Sequence, residues 1–223
     1  MDTENLQSEL EEKKIVKHPN SKSVDGYKVR RQIRKLSMSA LFVALSFVLS
    51  FLTYGLPKMP QGGSISLEGL GIVISGLYLG PVYGFVVGAC YSLINLMMDG
   101  VVYHWASVFL DYIIPFAGIG LMGGLFSKLY YKNKPWSFFV AVILGFVIKY
   151  LSSSISGAFL FGEYAPDNMQ PFYYSFVYYN LPYNAISLAA VLVIGGALYI
   201  PLQKMTKQVQ LLSLIHISEP TRP

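Results

Sequence analysis

The sequence has a single cysteine, Cys90, set in an apolar stretch, so it carries no disulfide framework. Charge is scarce as well. Asp, Glu, Lys and Arg make up 13% of the chain, against about 25% in a typical soluble domain. HExxH, CxxC and GxxxxGK(S/T) patterns are missing, and the last absence excludes ATP hydrolysis by a P-loop of its own. No convincing nucleophile–base set appears. His104 with Asp99 or Asp111 is the only acid–base combination an intramembrane enzyme could use, and nothing supplies a nucleophile for it.

What is present is hydrophobic sequence, 53% of the chain, with its few charges segregated. Nine of the 17 Lys and Arg lie in residues 1–35, and fewer than a dozen Asp, Glu, Lys, Arg and His fall between Leu36 and Leu202. This pattern reads as an integral membrane protein with a basic tail. The positive-inside rule explains the tail better than nucleic-acid binding does. The leader is long and the first apolar segment is long enough to span, which predicts that no signal peptide is cleaved. The 17 tyrosines and 14 phenylalanines are numerous even for a bilayer protein; interfacial belts would use some and a site others.

The apolar runs predict an all-α membrane protein, a six-helix bundle with spans near 36–56, 66–80, 82–98, 104–127, 135–162 and 172–201. The second and third are short and meet at Gly80-Pro81, a tight turn, because proline disfavours helical backbone in the residue before it. The alternative is one bent segment with a re-entrant half. Lys and Arg fix the orientation: the N-terminal tail, Lys128, Lys132 and Lys134, and Lys204 and Lys207 all fall on one side, so both termini are predicted to be cytoplasmic. The outer loops hold Lys58 with Asp99, Glu163 and Asp167.

The expected organisation is a basic, disordered or loosely helical tail over 1–35, a membrane domain over 36–202 and a C-terminal tail over 203–223. From about residue 211, "LLSLIHISEPTRP" resembles translated sequencing adapter, so His216, Glu219 and Arg222 receive no functional reading.

Three ionisable residues fall within the spans, where they are costly and usually face a cavity or the bundle interior: Glu68, Asp111 and Lys149. Glu68 sits near the outer end of its span, within reach of interface water. Asp111 and Lys149 could form a pair that only locks helices together. Alternatively, Asp111 is the counter-charge for a cationic ligand entering from outside. Nearby aromatics favour the second reading: Tyr103, Trp105 and Tyr112, with Phe161, Tyr174, Tyr178 and Tyr179 on the outer halves of the last two spans. A carboxylate among aromatic rings suits a flat organic cation. Lys149 and Ser153 share a helix face, as do Asn180 and Asn184 with Pro182 between them. Ala40 and Ala44 form a small-xxx-small pattern that permits close helix approach. "KMPQGGSISLEGLG" (58–71) is a glycine-rich loop at the mouth of the second span, suited to fold over a ligand. A stand-alone transporter with Glu68 or Asp111 carrying protons is the main rival reading.

"KMPQGGSISLEGL", "YHWASVFLDY" leading to "GLMGGLF", "IKYLSSSISGAFLFGEYA" and "YSFVYYN" occur in an order that resembles thiamine-specific substrate-binding (S) components of energy-coupling-factor (ECF) transporters, over roughly residues 36–202. The resemblance implies a six-helix bundle that binds a vitamin from outside and works with a transmembrane coupling subunit and two cytoplasmic ATPases. It implies no cofactor and no enzymatic activity. Carried over by position, Asp111 is the ligand-binding acid, followed by Tyr112, and Gln61, Gly62 and Gly63 form a lid. Ala40 and Ala44 contact the coupling subunit. Tyr174 and Asn180 match a tyrosine and an asparagine of the last helix, with one extra residue between them here, which leaves Tyr179 or Asn184 as substitutes. Ser153 stands where relatives often have histidine, and Phe161 where some have tryptophan. These departures weaken stacking on a pyrimidine ring and admit a thiamine precursor as ligand.

Overall fold

A computed structural model of the chain describes residues 21–60, 63–99, 102 and 104–218; for 21–25, 27, 99 and 205–218 it describes the backbone alone. Gln61, Gly62 and Tyr103 therefore lie outside the described residues, as do residues 1–20 and 219–223. The described residues are helical, without a strand. The helices are α1 (Ser21–Leu52), α2 (Glu68–Leu79), α3 (Pro81–Asp99), α4 (Trp105–Ser107), α5 (Ile114–Leu125), α6 (Ser127–Tyr131), α7 (Trp136–Leu160), α8 (Pro171–Tyr173) and α9 (Leu181–Ser218). Two π-helical segments interrupt them, Val108–Ile113 between α4 and α5 and Tyr174–Asn180 between α8 and α9. The chain divides into two units, Met1–Ser37 and Met38–Pro223, and the second contains the helical bundle.

Five stretches are long and apolar enough to cross a membrane: Lys28–Leu52, Pro81–Met98, Trp105–Leu125, Trp136–Leu160 and Pro171–Lys204. The first helix ends at Leu52 rather than at 56, because Thr53 to Gly55 turn. The remaining apolar helix, α2, has only 12 residues. It is also the most enclosed, with Leu70, Ile72, Val73 and Leu77 almost wholly buried. Gly80 connects it to α3 with φ at +94°, a conformation that a side chain would strain. Pro81 then opens α3, where its missing N–H costs nothing.

Helix α5 is the centre of the bundle and packs on α2, α3 and α7. Glycines allow this approach. An added Cβ on Gly120 would overlap the Gly84 carbonyl, and one on Gly76 would overlap Gly120. Around this seam Ile119 and Phe116 meet Ile72 and Leu70 of α2, and Ala141, Val142 and Phe146 of α7, in a single buried core. Lipid tails are as apolar as leucine, so close backbone packing, rather than water exclusion, holds such helices together. Gly120→Ala is therefore expected to cost about 1–3 kcal/mol by overpacking, read as a lower unfolding midpoint in detergent, whereas Ala at Gly196, which has only ordinary contacts with Phe139, should change little.

Prolines account for both π segments. Pro115 and Pro182 each lie two residues beyond a π turn. A helical proline cannot donate to the carbonyl four residues back, and its ring pushes that carbonyl away. For Pro115 that residue is Asp111, and for Pro182 it is Tyr178. The widened turn shows directly in the first segment, where the Ile114 N–H donates to the Phe109 carbonyl five residues back. That leaves the Leu110 carbonyl facing Pro115, which has no N–H to offer. The Ser152 hydroxyl on α7 donates to it instead, at 2.5 Å.

Candidate functional site

A cavity of about 150 Å³ opens among α1, the loop before α2, α3, both π turns and α7. Asp111, Tyr112, Gly63, Ser153, Phe161, Tyr174 and Asn180 all line it, and so does Tyr179. The cavity wall thus holds the described residues that the resemblance implies for ligand binding, though not all the other site candidates of the sequence. Asn184 is buried one turn deeper and does not line it; its Nδ2 donates to the Asn180 carbonyl at 2.9 Å. Trp105 and Tyr178 are also absent from the lining; Trp105 is 73% exposed, which corrects its grouping with the site aromatics. His104 is exposed and its Nδ1 accepts from the Ala106 N–H, capping α4. It does not line the cavity that holds Asp111, so the acid–base combination suggested by the sequence is not assembled there.

Asp111 projects from the first π turn. Ser156 of α7, fully buried, donates to its Oδ2 at 2.6 Å. No ion pair to Asp111 occurs among the described residues. Lys149 does not pair with Asp111, the alternative open at the sequence level. Its ammonium lies 3.2 Å from Glu68 Oε1 and 3.4 Å from Ser66 Oγ. The Ser66 hydroxyl also donates to Glu68 Oε1, at 2.5 Å. Glu68 is 3% exposed, so it does not reach interface water as the sequence suggested; α2 places it at its own first residue, where a carboxylate suits the helix dipole. Both members of the pair line the same cavity, and Lys149 lies 5.1 Å from the centre of the Phe116 ring. The cavity therefore holds an internally neutralised pair and, elsewhere on its wall, a carboxylate without a protein counter-ion among the described residues.

The second π turn builds the opposite wall. Tyr174, Ser175, Tyr179 and Asn180 all face the cavity from it, and Tyr183 follows. A π turn holds one more residue than an α turn, and this one keeps Tyr174 and Asn180 on one wall. Asn180 is held tightly: its Nδ2 donates to the Ser175 carbonyl at 3.0 Å and to Ser175 Oγ at 3.1 Å, and its Oδ1 accepts from Tyr183 at 2.5 Å. Gly157 of α7 permits this arrangement, because a Cβ there would press on Ser175 and, at 3.3 Å, on Asn180 Nδ2. The rings of Tyr174, Tyr179 and Tyr183 follow one another at 6.1 Å between successive centres.

The loop before α2 sits over this wall. Lys58 and Ser64 form an isolated antiparallel bridge, and the Met59 N–H donates to the Gly63 carbonyl at 2.7 Å. The Gly63 N–H donates to the Tyr179 hydroxyl at 3.2 Å, and the Ser66 N–H to Ser187 Oγ at 3.0 Å. A Cβ at Gly63 would stand 2.7 Å from the Tyr183 ring, so only glycine lets the loop lie this close. Lys58 caps the Tyr54 ring at 4.0 Å from its centre. Sequence reasoning missed the contribution of α1 and the turn after it, which bring Phe47, Phe51 and Tyr54 to the cavity, and also missed Ser156 and Tyr183. The available signals were Ser152 and Ser156 one turn apart in an apolar helix, and Tyr183 four residues after Tyr179.

Comparison with known proteins gives the family and the fold. The family model described as thiamine transporter protein (Thia_YuaJ) matches residues 36–210. The thiamine transporter ThiT of Bacillus subtilis is 28% identical over 185 residues, covering 79% of this chain and 96% of the relative. A solved structure of ThiT from Listeria monocytogenes superposes with a TM-score of 0.64 at 20% identity, covering 79% of this chain and 97% of that one, and so shares its fold. With the family model spanning most of its length, this multi-pass membrane chain belongs to the thiamine transporter protein family.

Proposed function

We propose that the chain is a high-affinity, membrane-embedded binding subunit for thiamine, or for a thiamine precursor or related vitamin, that delivers its ligand to an ATP-driven ECF transporter for import. The observation that carries this reading is Asp111. It is a cavity-lining carboxylate fixed by Ser156 and without a cation beside it among the described residues. Thiamine joins a permanently cationic thiazolium to an aminopyrimidine, and a carboxylate with tyrosine and phenylalanine rings meets both halves. In this reading Tyr112, Phe161 and Tyr174 give aromatic surface, Ser153, Tyr179 and Asn180 give polar edges, and the loop carrying Gln61, Gly62 and Gly63 closes the entrance. A proton-carrying role for Glu68 is not favoured, since its carboxylate is already occupied by Lys149 and Ser66.

Helix α2 would act as a sixth, shortened membrane helix, with both termini cytoplasmic in the plasma membrane of a prokaryote, as the distribution of Lys and Arg supports. Residues 36–202 would form the binding domain and 1–35 a basic cytoplasmic tail, and the sequence from about 211 would have no part in function. Titration calorimetry on the purified chain tests the binding reading: saturable thiamine binding is expected, and its absence would overturn the proposal.

Coupling has a separate test. Ala40 and Ala44 lie one turn apart on α1 and are exposed, among exposed Leu41, Leu45 and Val48. Small residues let a partner helix approach closely. Ala40→Trp is expected to abolish ATP-dependent uptake in cells supplying the coupling subunit and ATPases, while calorimetry finds thiamine affinity unchanged. Undiminished uptake would remove this surface from the coupling interface.

A further inference from the structure

We propose that Ser156 is a positioning residue for cation recognition: its hydroxyl holds one oxygen of Asp111, so that the other is presented to the positive ring of the ligand. The inference rests on the reading of Asp111 as counter-charge. It starts from the π turn. A π turn is wider and less regular than an α turn, so a side chain on it is poorly fixed by its own helix. Pro115 adds to this by removing a backbone donor. The neighbouring helix supplies the missing constraints. Ser152 and Ser156 stand one turn apart on the same face of α7. Ser152 donates to the Leu110 carbonyl, and Ser156 donates to Asp111 Oδ2 at 2.6 Å. One serine thus fixes the backbone of the turn and the other the carboxylate it carries.

Ser156 is fully buried and does not line the cavity, so it acts through Asp111 and not by touching ligand. A hydroxyl with one proton has one donation to make, and here it goes to the carboxylate. Aspartate is short, and without that bond its side chain could rotate, offering the ligand either oxygen or neither. Preorganisation of this kind improves affinity by removing the ordering cost at binding. It also predicts selectivity, because the benefit requires a ligand that engages the carboxylate through positive charge.

The test compares two probes: thiamine, and an uncharged isostere in which a thiophene replaces the thiazolium. In Ser156→Ala the dissociation constant for thiamine should rise about tenfold, the size of one hydrogen bond to a charged group, while that for the neutral isostere stays within about twofold. Ser156→Cys, close in volume but a weak donor, should behave like the alanine variant, and Ser156→Thr, which keeps the hydroxyl, should restore selectivity between the probes. Binding of the neutral isostere shows in each case that the pocket is intact. Equal losses for both probes would make Ser156 a packing residue and overturn the proposal. So would unchanged thiamine affinity in the alanine and cysteine variants while Asp111→Asn still weakens it. If Asp111→Asn also leaves thiamine binding unchanged, the counter-charge reading falls first and the proposal with it.

Discussion

Asp111→Asn should weaken thiamine binding ten- to a hundredfold while leaving the bundle as stable as before. The loss follows from removing a charge-assisted interaction worth about 1.5–3 kcal/mol in a poorly hydrated site. The unchanged stability follows from the geometry. Asp111 has no ion pair among the described residues, so its neutralisation strands no buried cation; its protein partner is Ser156, which can still donate to an amide oxygen. The two effects separate a binding residue from a structural one. Calorimetry gives the first and thermal unfolding of the ligand-free protein in detergent gives the second. An unchanged dissociation constant would remove Asp111 from the site. A large loss of stability would return it to the role of helix lock that the sequence left open.

Much of this arrangement is legible in the sequence, and the parts that are not share a cause. Long apolar runs with few charges mark the five helices long enough to cross a membrane, because length and composition alone decide whether a helix can span. Gly80-Pro81 marks the turn between α2 and α3 because glycine admits a positive φ closed to other residues and proline fixes its own φ. Asp111, Tyr174 and Phe161 were readable as residues of one cavity because charge and aromatic rings are unusual on apolar helices, and a resemblance in motif order tied them together. The choice of Lys149's partner was not readable. Asp111 and Glu68 are both acids in apolar sequence, and only the packing of α2 beside α7 brings Glu68 to the ammonium.

The π turns sit between these cases. A helix that is apolar on most sides carries little hydrophobic periodicity, so an inserted residue leaves no visible break in the pattern. Its trace here is chemical: a proline two residues after each π segment. A proline just beyond a run of site residues can thus be read as a widened turn as well as a kink. Ser156 escaped notice for a related reason. It touches the acid and not the cavity, and nothing local distinguishes it from Ser153, which does line the cavity.

Lys149→Met should be the more damaging change to the fold, although Lys149, like Asp111, lines the cavity. Lys149 and Glu68 are 7% and 3% exposed, and the ammonium is the only cation beside that carboxylate among the described residues. Removing it leaves Glu68 buried with one hydroxyl donor, Ser66, on Oε1, while Oε2 has no hydrogen-bond partner among the described residues. Breaking a buried pair from one side costs about 3–5 kcal/mol, which for a chain of this size lowers the unfolding midpoint by roughly 6–20 °C. The partner change tells the cause apart from lost packing, since methionine keeps the length and apolar stem of lysine. If the stranded charge is responsible, Glu68→Gln added to Lys149→Met should recover more than half of the lost stability, because replacing both partners removes the uncompensated charge. Ligand-free protein is the right sample, so that any change in binding does not enter the midpoint. Should the single variant unfold at the temperature of the unmodified chain, the pair contributes little to the fold, and its presence in the cavity wall would then require a role toward the ligand. Should the double variant be no better than the single one, the loss comes from the ammonium's own interaction with the rings of Phe116 and Phe146, over which it lies at 5.1 and 5.7 Å, and not from a stranded Glu68.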